Sequence, residues 1–165
     1  MKKRNKKCRL PKFDLKPVLS LQDAQQKSGW GITAFELPEA WTKVGMGEGV
    51  VVAIVDTGCD LDHPDLKDNL LPGMNFVTPG KPPEDDNCHG THCAGIICAE
   101  NNNIGMVGVA PKCKIMPVKA LDDEGNGNMA DVAKAIRWAA DNGADIISMS
   151  LGCPNPVQEV RKAIQ

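Results

Sequence analysis

Nothing in this 165-residue chain suits it to crossing a membrane, because no apolar run approaches the roughly 20 residues a bilayer requires. The basic head MKKRNKKCR is followed by LPKFDLKPVLSLQDAQQKSG, a stretch broken by prolines and charges where a secretory leader would have its apolar core, so no export signal is expected. A basic surplus is missing too. Net charge is −2, and since residues 1–12 hold seven Lys or Arg and no acid, the remainder carries −9 and disfavours nucleic acid as a partner. The head itself lacks interleaved aromatics and an apolar face, which argues against a membrane or nucleic-acid contact and predicts a solvated, disordered tail. The seven cysteines are odd in number and have no framework spacing. Without an export signal they are expected to be reduced thiols in a cytoplasm. There is no internal repeat, and 42% hydrophobic residues suffice for the core of one domain.

What is present alternates between two periodicities. Val50–Val55 of GVVVAIVD is a six-residue apolar run, rich in β-branched residues and too short for a helix, and predicts a strand buried on both faces. HGTHCAGIICAE has helix length, with Ala94 and Gly95 as candidate close-packing positions. KIMPVKAL predicts a strand that Pro117 pushes toward an edge or a bulge. MADVAKAIRWAADNG puts Val132, Ile136, Ala139 and Ala140 on one helical face with Gly143 as the stop, and ADIISMSLG predicts a third strand. Alternating strands and helices imply an α/β fold with a parallel sheet and right-handed crossovers, its ligands gathered at the carboxyl ends of the strands.

That edge is where Asp56 stands, directly after the buried strand and before Thr57-Gly58. Capping of a turn is one role for such a residue. Another appears 33 residues later, where His89 would open a helix at the same edge. An imidazole with one nitrogen held by a buried carboxylate can accept a proton at the other, as a serine nucleophile requires, and Asp before His is one of the known triad orders. DDNCHGTHCAG also packs Cys88, His89, His92 and Cys93 into six positions, so a shared metal is geometrically conceivable. No zinc is expected, because it would occupy the imidazole that Asp56 orients and no second Cys/His pair stands at a finger spacing.

VAIVDTGCDLDHPDL and HGTHCAGII resemble the Asp and His motifs of the subtilisin-like serine proteases, the subtilases, and the similarity runs from GWGITAFELPEAW through NNNIGMVGVAPKCKIMPVKAL to DEGNGNMADVAKAIRWAADNGADIISMSLG. The resemblance implies the three-layer parallel-sheet fold of that family and an Asp-His-Ser serine endopeptidase, in which Asp56 orients, His89 is the general base and His92 is structural. It implies that Cys93 marks the thiol-containing branch, its sulfur beneath His89, with Cys88 adding a second thiol beside the site. GNG (Gly125, Asn126, Gly127) and SLG (Ser150, Leu151, Gly152) resemble the segments flanking the substrate, where glycines let a second backbone approach. Leu121, Met129, Val132 and Leu151 would line pockets for apolar side chains of a polypeptide substrate, or else be plain core.

AENNNIGMVG resembles the family's calcium loop. A hard cation collects oxygens from carboxylates, amides and carbonyls. The resemblance implies a structural Ca²⁺ held by the Asn102 side chain, the carbonyls of Glu100, Ile104 and Met106, the Asp65 carboxylate and the Gln26 amide. Two expected groups do not appear. Of Ser20, Ser28, Ser148 and Ser150, none lies in a GTSMAxP-like nucleophile segment, and there is no AAGN-like strand end with an oxyanion Asn, so this chain alone is expected to be inactive.

NPVQEVRKAIQ predicts a helix capped by Asn155, opened by Pro156 and striped by Val157, Val160 and Ile164. It stops mid-pattern, which predicts a fold incomplete at its C-terminal end. Residues 26–165 then form the N-terminal portion of a catalytic domain, and residues 1–25 a basic arm or pro-segment. Two function classes stand: a serine endopeptidase completed elsewhere, or a truncated, non-catalytic fragment that binds peptide or a partner segment. CRLPKFD, with Pro11 directly after Leu10, resembles the short motif by which intracellular subtilisins lay their own arm across the site as an inhibitor.

Overall fold

The computed structural model describes residues 7–10 and 27–165. In chain order the elements are β1 (Lys7–Arg9), β2 (Lys27–Ser28), α1 (Trp30–Ala34), α2 (Leu37–Val44), β3 (Val51–Asp56), β4 (Met74–Asn75), α3 (His89–Cys98), β5 (Met106–Val107), β6 (Lys114–Lys119), β7 (Asn126–Asn128), α4 (Met129–Asp141), β8 (Ile146–Ser148) and α5 (Gln158–Ile164). Four strands form a parallel sheet in the order β4-β6-β3-β8. Short ladders pair β1 antiparallel with β7 and β2 parallel with β5.

The strand β3 is apolar throughout because both sheet faces are covered. Val52 and Ile54 point into one core with Ile115 and with Ala94 and Cys98 of α3. Ala53 and Val55 point into the other with Val118 and with Val132, Ile136 and Ala139 of α4. Period-two alternation thus builds three layers, α3, sheet and α4, in an α/β architecture. No helix among the described residues is long and apolar enough to cross a membrane.

Several expectations are corrected here. Pro117 lies in an interior strand, opposite Ile54 of β3 and fully buried. Leu71 N donates to Ile115 O and Phe76 N to Lys119 O, so residues 115, 117 and 119 direct their polar backbone groups toward the β4 side. The donor missing at Pro117 therefore faces the stretch before β4 begins, and the β3 ladder loses nothing. In α3 the close approach is at Gly90, whereas a side chain at Gly95 would meet open space. Ala140 is exposed, and the buried face of α4 uses Ala133 and Ala135 instead. The last helix begins at Gln158, with Val157 at its N-cap and no side-chain cap, so Asn155 and Pro156 precede it. Its packed stripe is Val157, Val160 and Ala163, with Ile164 63% exposed. Within the basic head, Lys7–Arg9 is a strand and not a solvated tail, and residues 7–10 alternate exposed and buried.

Candidate active site

Asp56 closes β3 and is fully buried at the carboxyl edge of the sheet. Its Oδ1 lies 2.7 Å from His89 Nδ1 and accepts the Thr57 N–H at 2.7 Å, while Oδ2 is buried with no hydrogen-bond partner. Burial pushes the Asp56 carboxyl up from its ordinary range, against the pull of His89 and Thr57. His89 is the first residue of α3, and its side chain is 12% exposed. The helix reaches this position because Gly90 has no side chain: a Cβ there would stand 2.1 Å from Gly58 O, and Gly90 N donates to Thr57 Oγ1 at 2.9 Å.

Neither second-rank histidine nor thiol competes for this role. His92 is exposed. Cys93 Sγ lies 3.9 Å from His89 Nδ1 and 3.6 Å from Ser150 Oγ. Burial pushes the thiols of Cys88 and Cys93 up, so both are protonated at neutral pH. Asp56, His89 and Cys93 present donor atoms within 4.8 Å of one another, but the imidazole nitrogen involved is the one engaged by Asp56. Cys88 and His92 stand outside that group.

The predicted substrate segments flank a strand that the chain itself supplies. Cys8 aligns with Gly127 and Arg9 with Asn126, and Leu10 N donates to Gly125 O at 3.0 Å. On the other side Arg9 N donates to Gly152 O at 3.3 Å in an antiparallel bridge. Cys8 (0% exposed) and Leu10 (7%) enter one core with Leu121, Met129 and Val132, against which Leu151 packs. Bare backbone makes room for them, since a Cβ at Gly125 would come 2.7 Å from Leu10 Cδ1 and one at Gly127 3.0 Å from Cys8 Sγ.

The subtilase family's sequence profile matches residues 47–165. The chain is a subtilase. It is 40% identical over 160 residues to the alkaline protease of Shouchella clausii, covering 92% of this chain and 41% of that protein. The major intracellular serine protease of Bacillus subtilis (strain 168) is 42% identical over 140 residues, 82% of this chain and 44% of its own length. Thermitase of Thermoactinomyces vulgaris is 45% identical over 124 residues, 74% and 44%. The chain thus spans less than half the length of these curated relatives.

The expected calcium loop lies against a buried carboxyl group. Asp65 is 5% exposed; its Oδ2 accepts Met106 N at 3.0 Å, and its Oδ1 is buried with no hydrogen-bond partner. A Cβ at Gly105 would intrude to 2.5 Å from Oδ2. Asn102 Oδ1 accepts Ile104 N at 3.1 Å, and Glu100 N donates to Asp65 O at 2.9 Å. Met106 aligns with Lys27 of β2. Gln26 lies outside the described residues. A buried carboxyl oxygen with no hydrogen-bond partner, beside the loop that carries Asn102, fits a hard cation.

Two residues that build the site were not singled out from the sequence. Asp85 Oδ1 accepts Thr57 Oγ1 at 2.8 Å and the N–H groups of Asn87 and Cys88 at 3.0 Å, and Oδ2 accepts Thr91 N at 2.9 Å and Thr91 Oγ1 at 2.5 Å. It ties the start of α3 to the turn after β3. Lys119, 3% exposed at the end of β6, donates to Thr57 O at 2.6 Å and pairs with Asp86. The signals were an Asp four residues before a helix start and a Lys closing an apolar strand.

Proposed function

We propose that this subtilase is the N-terminal portion, residues 26–165, of a serine endopeptidase domain that cleaves polypeptides, with Asp56 as orienting carboxylate and His89 as general base. The observation that carries the reading is the 2.7 Å bond between Asp56 Oδ1 and His89 Nδ1. With Nδ1–H donated to Asp56, the proton-accepting atom is Nε2. It takes the hydroxyl proton of a serine as that oxygen attacks a carbonyl, and Asp56 stabilises the imidazolium that results. The nucleophilic Ser and the oxyanion Asn are assigned to chain outside these 165 residues.

Main-chain pairing on Gly125–Gly127 and Ser150–Gly152 would hold an extended substrate, its apolar side chains among Leu121, Met129, Val132 and Leu151. The arm Lys7–Leu10 occupies that place in the manner of a substrate, which supports an inhibitory role for residues 1–25. A structural Ca²⁺ would be held by Asp65, Asn102 and the carbonyls of Glu100, Ile104 and Met106, with Gln26 completing the set. Bound there, it supplies charge compensation for Asp65. A cytoplasmic location is supported by seven unpaired cysteines.

The test is labelling by a fluorophosphonate. The complete protein should be labelled at one serine in a GTSMAxP-like segment, His89→Ala should abolish labelling, and the 165-residue chain alone should not react. Undiminished labelling of His89→Ala would overturn the assignment. A native reading frame that stops after Gln165, giving a soluble and cooperatively folding product, would favour the peptide-binding fragment instead.

A further inference from the structure

The seven thiols are not distributed evenly over the molecule. Cys59, Cys98 and Cys113 lie in the core between the sheet and α3, Cys93 packs against that core, and Cys88 stands at the N-cap of α3. Cys8 and Cys153 alone belong to the opposite core, Cys8 within it and Cys153 packed against it. Cys8 comes from the arm in the cleft, and Cys153 follows the Ser150–Gly152 segment that borders it.

Register brings these two together. Arg9 and Gly152 face each other in an antiparallel bridge, so the positions one step along, 8 and 153, are opposite as well. Arg9 N donates to Gly152 O, which makes 9/152 a hydrogen-bonded pair and 8/153 the adjoining non-hydrogen-bonded one. At such a pair the Cα atoms stand about 4.5 Å apart and both side chains project to the same face. Disulfides span Cα separations of about 4.4–6.8 Å, so the backbone already meets the requirement. Charge on Cys153 is among the influences that, after burial, push the Cys8 thiol up, as proximity demands.

We propose that Cys8 and Cys153 are a disulfide-forming pair that covalently fastens the arm in the cleft when the protein meets a low-molecular-weight disulfide. The proposal rests on the reading of the arm as a cleft-filling segment. Cys153, which is partly exposed, attacks the small disulfide and releases one small thiol, leaving a mixed disulfide on its sulfur. Cys8 gives up its proton and attacks the Cys153 sulfur, and the second small thiol leaves. Two protein thiols are oxidised to one disulfide, and one small disulfide is reduced to two thiols. In a complete enzyme the bond turns a displaceable inhibitory strand into a fixed one, and reduction restores an arm that substrate can displace.

The experiment oxidises the native protein with oxidised glutathione, blocks remaining thiols by alkylation, and digests with a lysine-specific protease. Residues 8–12 (CRLPK) and residues 135–162 should appear as one cross-linked species that dithiothreitol dissociates, and both Cys153→Ser and Cys153→Ala should lose it. A parallel arm alkylates the reduced native protein, where Cys8 should react more slowly than in urea. Protection of Cys8 without a cross-link to Cys153 would overturn the disulfide and leave the arm in its cleft. Cys8 reacting as fast in native protein as in urea would overturn the seated arm, and the disulfide with it. A cross-link of Cys8 to any other cysteine would also overturn the pairing.

Discussion

Replacing Asp85 by Asn is the sharpest test of what holds His89 against Asp56. The carboxylate accepts five hydrogen bonds, three on Oδ1 from Thr57, Asn87 and Cys88 and two on Oδ2 from Thr91. An amide keeps one acceptor oxygen, and its best orientation gives that oxygen to the three-bond side. Its NH₂ then faces Thr91 N, donor against donor, and Thr91 Oγ1, which already accepts Asp60 N at 2.9 Å. Two bonds to a charged acceptor are lost, each about 1.5–3 kcal/mol. Because Asp85 is only partly buried, the lower end applies, about 3 kcal/mol in total. Chemical denaturation at neutral pH should show that loss as a lower midpoint with unchanged slope.

The pH dependence separates charge from shape. Burial alone would push the Asp85 carboxyl up, but the bonds from Thr91, Cys88 and Asn87 outweigh it and hold the group below its ordinary range. A folded-state value below that of the unfolded chain, about 3.9, means the contribution is complete above that pH and disappears as pH falls through the folded value. The gap between wild type and Asp85→Asn should therefore be constant near neutrality and narrow in acid. Equal midpoints at neutral pH, or a gap indifferent to acid, would refute the reasoning.

Chelation should lower the melting temperature if Asp65 and Asn102 hold Ca²⁺, since a cation binding only the folded state stabilises it by about 2.7 kcal/mol at a hundredfold excess over its dissociation constant; Asn102→Ala should remove most of that dependence, and identical melting curves with and without chelator would sink the site. Gly90→Ala should destabilise despite a helix-propensity gain of about 1 kcal/mol, because its Cβ would stand 2.1 Å from Gly58 O in backbone that cannot move without shifting β3; an unfolding midpoint at or above wild type would contradict this. Glu48 accepts bonds from its own N–H, Lys112 and Met46 N that pull its carboxyl down to about 2. Its NMR titration should fall there, and Lys112→Met should raise it toward about 4.

The parts of the fold that were legible in the sequence are those where one period dominates. GVVVAIVD could only be a two-faced strand, and MADVAKAIRWAAD could only be an amphipathic helix, because burial on two faces or on one leaves distinct apolar patterns. The misread positions depend on a neighbour the local pattern does not contain. Whether Pro117 is tolerable in a central strand depends on which side its absent N–H would face, and that is set by where β4 begins. Ala140 and Ala139 look alike in sequence, and only the placement of α4 against the sheet separates them. Asn155-Pro156 has the chemistry of a helix start, yet with Val157 and Val160 packed on the core that α4 shares, the first turn begins two residues later.

The site divides along the same line. Asp56 and His89 were legible because each stands at an element boundary that the hydrophobic pattern locates, and a parallel sheet brings such boundaries to one edge. Asp85 was not, because it works by collecting five hydrogen bonds, four from Asn87, Cys88 and Thr91 just downstream and one from Thr57 Oγ1 in the turn after β3, and a hydrophobic pattern carries no sign of either. The arm shows how much a weak pattern can hold. Lys7-Cys8-Arg9-Leu10 alternates polar and apolar with period two, the signature of a half-buried strand, but among seven Lys or Arg in the first twelve residues the charge hid the alternation. Charged residues at every second position cost nothing in a strand one of whose faces meets water. The two apolar residues between them suffice here because Gly125 and Gly127 let the backbone close to hydrogen-bonding distance. A segment this basic is ordered in the cleft because the cleft reads backbone and two side chains, and ignores the charge.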